Sequence, residues 1–115
     1  LEPAREAFLE LLEEEPGDPV CLRSLGAIAA RAGDERAAME YDRALASLDR
    51  PYLFGRHTLG RAAIAALLGE EEQALSLLQT SVSQGVYFGT ALLADPDLAV
   101  LVDYPPFVEF MTPQG

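Results

Sequence analysis

The side chains of this sequence equipped to react or to hold a metal are a thiol, an imidazole and a few carboxylates, and they are sparse. Cys21 and His57 are the only cysteine and the only histidine in 115 residues. A thiol beside an imidazole is a nucleophile–base pair, but no motif joins these two. Cys21 stands with Leu22 and Leu25 on an apolar helical stripe, the usual setting of a buried, inert cysteine. One cysteine excludes an intrachain disulfide and fits a reducing, cytoplasmic setting. One histidine and one cysteine are too few for a zinc centre. Asp95, Asp97 and Asp103 are spaced like part of a calcium loop. Such a loop needs a glycine at its sixth position and a glutamate at its twelfth, and Val100 and Pro106 stand there. These aspartates are therefore read as caps and turn formers. Tyr104-Pro105-Pro106-Phe107 has the composition of a polyproline ligand, but its apolar flanks suit burial better. There is no glycine-rich phosphate loop and no Ser-His-Asp arrangement. The chain is thus expected to carry no catalytic residue, metal or cofactor, and not to be an enzyme.

Charge narrows the partners. Eight basic and 19 acidic residues leave a net charge of −11. All eight basic residues are arginines, and all lie between Arg5 and Arg61; from Ala62 onward there are only carboxylates, at Glu70, Glu71, Glu72, Asp95, Asp97, Asp103 and Glu109. Such a surface repels phosphate backbones and anionic lipid headgroups, so neither nucleic acid nor a membrane is an expected partner. The acidity itself favours solubility. The longest apolar stretches, residues 62–68 and 86–94, are far too short to span a bilayer, and no signal-peptide pattern opens the chain.

The elements that position these residues read as helices throughout. A helix over 3–15 opens on Pro3 and ends at Pro16-Gly17-Asp18-Pro19. A second, over 19–32, is capped by Asp18 and closed by Gly33. A third, over 35–48, is capped by Asp34. A fourth, over 52–68, is lined by Gly60, Ala62, Ala63, Ala65 and Ala66 and closed by Gly69; such small residues let helix axes approach closely. A fifth spans 70–83. Beyond Gln84-Gly85, helix is expected over 86–94, a helical turn after Asp95-Pro96-Asp97, and a last helix over 107–111. No segment alternates with period two, so no sheet is expected.

The sequence also repeats. Ala4, Phe8 and Leu11 are spaced by four and three residues, as are Ala37, Tyr41, Ala44 and Ala74, Leu78, Ser81. Gly33-Asp34-Glu35 and Gly69-Glu70-Glu71 precede the last two triplets. Small, large, small is a packing pattern in which the small positions admit the partner helix. A period near 34 residues, read as helix–turn–helix, resembles the tetratricopeptide repeat. Leu25-Gly26 followed by Gly33-Asp34 matches the first-helix half of that motif; Ala37, Tyr41 and Ala44 match the second. Leu22 and Thr58 replace the family's early aromatic residue, and Ala62 replaces its glycine. The segment Asp95-Pro96-Asp97-Leu98 with Tyr104-Pro105-Pro106-Phe107 resembles the closing segment of many bacterial proteins with such repeats, with Val102 where an arginine is usual.

The resemblance implies an all-α fold, a short right-handed solenoid of antiparallel helix pairs in one domain, 1–115. Its parts are the second helix of an incomplete repeat (3–16), two repeats (19–49 and 52–84) and a capping segment (86–115). Leu92, Leu93, Leu98, Leu101, Phe107 and Phe110 are the residues expected to cover the last apolar face. It implies an adaptor or scaffold that binds a protein or peptide on the concave face formed by the first helices of the repeats. Carried onto this chain, that face holds Arg23, Ala27 and Arg31 from one helix and Arg56, Leu59 and Ala63 from the next. Three arginines in a groove of an acidic protein would engage a carboxylate; pairing with acids on adjacent helices is the alternative. The first helix lacks its repeat partner, so Phe8, Leu9 and Leu12 form a second candidate surface, for self-association into a homo-oligomer.

Overall fold

The structure, a computed structural model, describes residues 2–49 and 53–112. They form helices α1 (Glu2–Glu14), α2 (Pro19–Arg31), α3 (Glu35–Ala46), α4 (Arg56–Leu67), α5 (Glu71–Ser83), α6 (Thr90–Leu93), a 3-10 helix (Ala99–Asp103) and α7 (Pro105–Met111). Among the described residues there is no strand. The expected break at Arg50-Pro51, the expected start of the fourth helix at residue 52 and the last three residues lie outside the described residues. Of the helix expected over 52–68, residues 53–55 are not helical: Phe54 and Gly55 both take a positive φ, a turn that delays the start of α4 to Arg56.

Local chemistry accounts for the boundaries. The Asp18 carboxylate accepts from the Val20 amide at 2.9 Å at the start of α2, and Asp34 accepts from the Ala37 amide at 3.1 Å at the start of α3, each satisfying a donor that has no partner inside the helix. The two helix ends at Gly33 and Gly69 are built alike. Both glycines have a φ just above +80°, a backbone state that costs other residues energy. The amides of Asp34 and Glu70 then reach back to the carbonyls of Ala29 and Ala65, both at 2.9 Å, the long-range bond of a Schellman turn. Such a turn folds α3 back on α2, and α5 back on α4. Those two hairpins pack against each other through α2 and α4, with α3 also touching α4, while α1 lies on α2.

Small residues set the spacing. A Cβ on Gly26 would stand 2.3 Å from Ile64 Cδ1, and one on Gly60 would stand 3.1 Å from Leu45 Cδ1 and 3.2 Å from Arg23 Cβ. These two glycines are where α2 and α4 meet their neighbours. Two apolar clusters result. One joins Leu22, Ala29, Ala30, Ala38 and Leu45 to Ile64. The other joins Ala62, Ala65, Ala66, Ala74 and Leu78 to Leu92, Leu98, Leu101, Phe107 and Met111 of the tail. Ser81, the polar member of the third triplet, is fully buried, and its hydroxyl donates to the Leu78 carbonyl at 2.7 Å, so it fills a small apolar position without leaving an unmet donor.

The tail departs from expectation at three points. Leu93, expected to help cover the last apolar face, is 53 % exposed. The last helix, expected over 107–111, begins at Pro105, since proline suits the first turn of a helix. The run at 86–94 is not one helix. Helix is confined to Thr90–Leu93, and residues 86–89 run without regular structure. Gly85 at φ +127° turns the chain out of α5, and the Val86 amide is taken by the Ser81 carbonyl at 3.0 Å, closing that helix's end. The apolar run at 86–94 therefore does not nucleate a helix of its own length.

Candidate partner-binding site

The two arginines expected from the second helix do converge, and they converge on carboxylates of the chain's own tail. Arg23 and Arg31 lie two turns apart on α2, which places them on one face. The segment linking α6 to the 3-10 helix brings Asp95 and Asp97 onto that face. The Arg23 guanidinium donates to Asp95 Oδ2 at 2.6 Å and to Asp97 Oδ2 at 3.1 Å, and Arg31 donates to Asp97 Oδ1 at 2.5 Å. Arg23 Nε adds a bond to Asp97 Oδ2 at 3.3 Å. Asp97 thus offers one oxygen to each arginine. Its own amide donates to Asp95 Oδ1 at 2.9 Å, which turns the backbone across Pro96 and holds both side chains toward α2. Both aspartates are largely covered, at 13 and 14 % exposed, and Arg23 at 23 %, whereas Arg31 is 42 % exposed. Burial acts to lower the Arg23 pKa, but hydrogen bonding and charge from Asp95, then from Asp97, outweigh it and raise it above the ordinary arginine value. Charge-assisted bonds in such partly dry surroundings are stronger than surface ion pairs.

The other four residues expected in the groove separate. Ala27 is 3 % exposed and Ala63 fully buried, so neither presents surface to a ligand in this arrangement. Leu59 is half-buried against the cluster that includes the tail. Arg56 opens α4, and its Nε donates to the Leu53 carbonyl at 3.1 Å. A fourth arginine, Arg61, ties α4 to α3 through Asp42 at 2.9 Å.

The candidate surface of the first helix is partly closed. Phe8, Leu9 and Leu12 are half-buried and Leu11 is exposed. A cleft beside α1 is floored by Leu25, Ile28, Ala29, Ala37 and Tyr41 and carries Arg5 and Asp34.

Cys21 is buried, and burial, reinforced by Asp18, raises its thiol pKa, which disfavours the nucleophilic thiolate. His57 is half-buried; desolvation and then the Arg61 charge lower its pKa. Its Nδ1 is buried without a hydrogen-bond partner among the described residues. The neighbouring Thr58 hydroxyl donates to Gln84 Oε1 at 2.5 Å, linking α4 to the end of α5. Among the described residues no three His, Cys, Asp or Glu side chains gather as a metal site, and no helix is long and apolar enough to cross a membrane.

Asp95 and Asp97 are the functional candidates that sequence reasoning missed, assigning them to turns alone. The available signal was the one-sided charge distribution: every arginine precedes residue 62, and the tail carries only acids. No protein-family model, curated protein or solved structure matches this chain.

Proposed function

We propose that the chain is a protein-binding module of the tetratricopeptide-repeat type, and not an enzyme, which takes an acidic segment of a partner on the α2 face carrying Arg23 and Arg31. One observation carries this reading. The two guanidiniums already hold an Asp-Pro-Asp turn, with both oxygens of one carboxylate and one of the other engaged, so the face is complementary in spacing and charge to a short acidic turn. The like-built turns at Gly33 and Gly69, 36 residues apart, support the repeat architecture. In this reading the tail occupies the site in cis, and a partner segment competes with it.

The test is calorimetry with the peptide Leu-Ala-Asp-Pro-Asp-Leu. Replacing the tail's ligands by Asp95→Asn with Asp97→Asn is expected to tighten its binding at least tenfold over the unaltered chain, because a competitor already in place lowers apparent affinity. Adding Arg23→Ala and Arg31→Ala is expected to abolish it. A double-Asn variant with unchanged helix content that binds no peptide overturns the reading.

A second reading, self-association through α1, is favoured by the exposure of Leu11 beside the half-buried Phe8, Leu9 and Leu12. Analytical ultracentrifugation checks it: a dimer that Leu11→Asp converts to a monomer supports this reading, and a monomer at the highest concentrations overturns it.

A further inference from the structure

The far side of the tail carries a second surface, unlike the first in chemistry. Between α6, the 3-10 helix and α7 lies an open groove of about 290 Å³ lined by Leu93, Val102, Phe107, Val108, Met111 and Thr112. Phe107 and Met111 form its buried floor, while Leu93, Val102 and Val108 stand 53, 55 and 46 % exposed along it. Thr112 is its one polar side chain, and that hydroxyl is already donated to the Val108 carbonyl at 2.6 Å. The groove therefore offers no free side-chain donor and is otherwise apolar, and contiguous exposed apolar surface of this kind marks an interaction site. Its margin is acidic. Asp103 follows Val102 and Glu109 follows Val108; both are exposed, and neither takes part in an ion pair among the described residues. No basic residue occurs anywhere after Arg61.

We propose that this groove binds a basic amphipathic helix of a partner protein, with its apolar stripe on Leu93, Val102 and Val108 and its Lys or Arg side chains toward Asp103 and Glu109. Charge selects this occupant. A second copy carries the same net charge of −11, and its α1, the helix with the exposed Leu11, holds Glu6, Glu10, Glu13 and Glu14 against a single Arg5. Phosphate-bearing surfaces are repelled by the same carboxylates. An apolar groove between helices accepts an amphipathic helix rather than an extended strand, because no sheet edge occurs among the described residues to supply main-chain bonds.

Two 18-residue probes test it on the full chain by NMR titration: an amphipathic Leu/Lys helix and the same pattern with Glu in place of Lys. The Leu/Lys probe is expected to bind saturably and to shift amide resonances within 93–112; the Leu/Glu probe is not. Leu93→Ser with Val102→Ser and Val108→Ser is expected to weaken the Leu/Lys probe at least tenfold. Asp103→Asn with Glu109→Gln is expected to weaken it severalfold and to flatten its salt dependence. All five positions are exposed, so circular dichroism of both variants should match the unaltered chain. Absence of saturable binding, shifts confined to other helices, undiminished binding by the Ser variant, or equal binding of the Leu/Glu probe each overturns the proposal.

Discussion

The two sides of the tail face opposite problems. Toward α2, Asp95 and Asp97 are largely covered, and their carboxylate oxygens are all engaged, three by arginines and Asp95 Oδ1 by the Asp97 amide. Away from the body, Leu93, Val102 and Val108 lie open, and Asp103 and Glu109 beside them form no ion pair among the described residues. One short segment thus satisfies its charges inward while leaving apolar surface outward. Ordinary packing would favour the reverse, since an apolar side chain gains about 25 cal/mol for each Å² removed from water. Burial against the body explains the inward side: Leu92, Leu98, Leu101 and Phe107 pack with residues of α4 and α5. That burial leaves the outward side unexplained, and the proposed docking surface accounts for it.

The contrast can be broken at several points, in decreasing order of effect. Phe107→Ala is expected to cost about 3–5 kcal/mol in urea unfolding, as a buried aromatic leaves a cavity, whereas its neighbour Val108→Ala should stay within about 0.5 kcal/mol. Equal costs would erase the distinction between the two sides. Arg23→Ala is expected to lose about 1.5–3 kcal/mol, because two covered carboxylates lose a charged donor. Gly26→Ala should cost about 1–3 kcal/mol by overpacking against Ile64, loosening the α2 platform from which both arginines reach the tail. Arg31→Ala, at the more exposed end of the clasp, should cost under about 1 kcal/mol and less at high salt. The smallest effect concerns His57. Its folded pKa lies below the ordinary value of 6.5, so the native state takes up fewer protons than the unfolded state. Stability is full above pH 6.5 and falls as pH drops through and below it. His57→Gln should flatten the urea midpoint between pH 7.5 and 5.5; an unchanged slope would remove His57 from that dependence.

Much of the frame was readable in advance. Asp18, Asp34, Gly33 and Gly69 mark helix ends through chemistry confined to a few neighbouring residues, and helices appear where those residues place them. Buried Cys21 and the small-residue lining of α4 follow from periodicity in the same way. The tail was less readable. An apolar run at 86–94 suggested nine helical residues, but only Thr90–Leu93 are helical, because Gly85 redirects the backbone. Leu93 was expected to help cover the last face and is instead exposed, whereas Leu92 beside it is buried; a helix of four residues has too few turns for its burying face to be inferred from spacing.

The candidate sites divide along the same line. That Arg23 and Arg31 share a face is a property of helical periodicity, since positions eight apart are separated by little more than two turns. That they meet Asp95 and Asp97, 66 to 74 residues away in the chain, depends on how far the tail travels and where its leucines seat. Likewise, the absence of positive charge after Arg61 is plain in the chain, but the gathering of Leu93, Val102 and Val108 around one groove is a product of three short helices packing together. Caps, turns and charge balance are set by residues near one another in sequence. Which charges are satisfied and which apolar side chains stay uncovered is settled only when distant segments compete for the same surface.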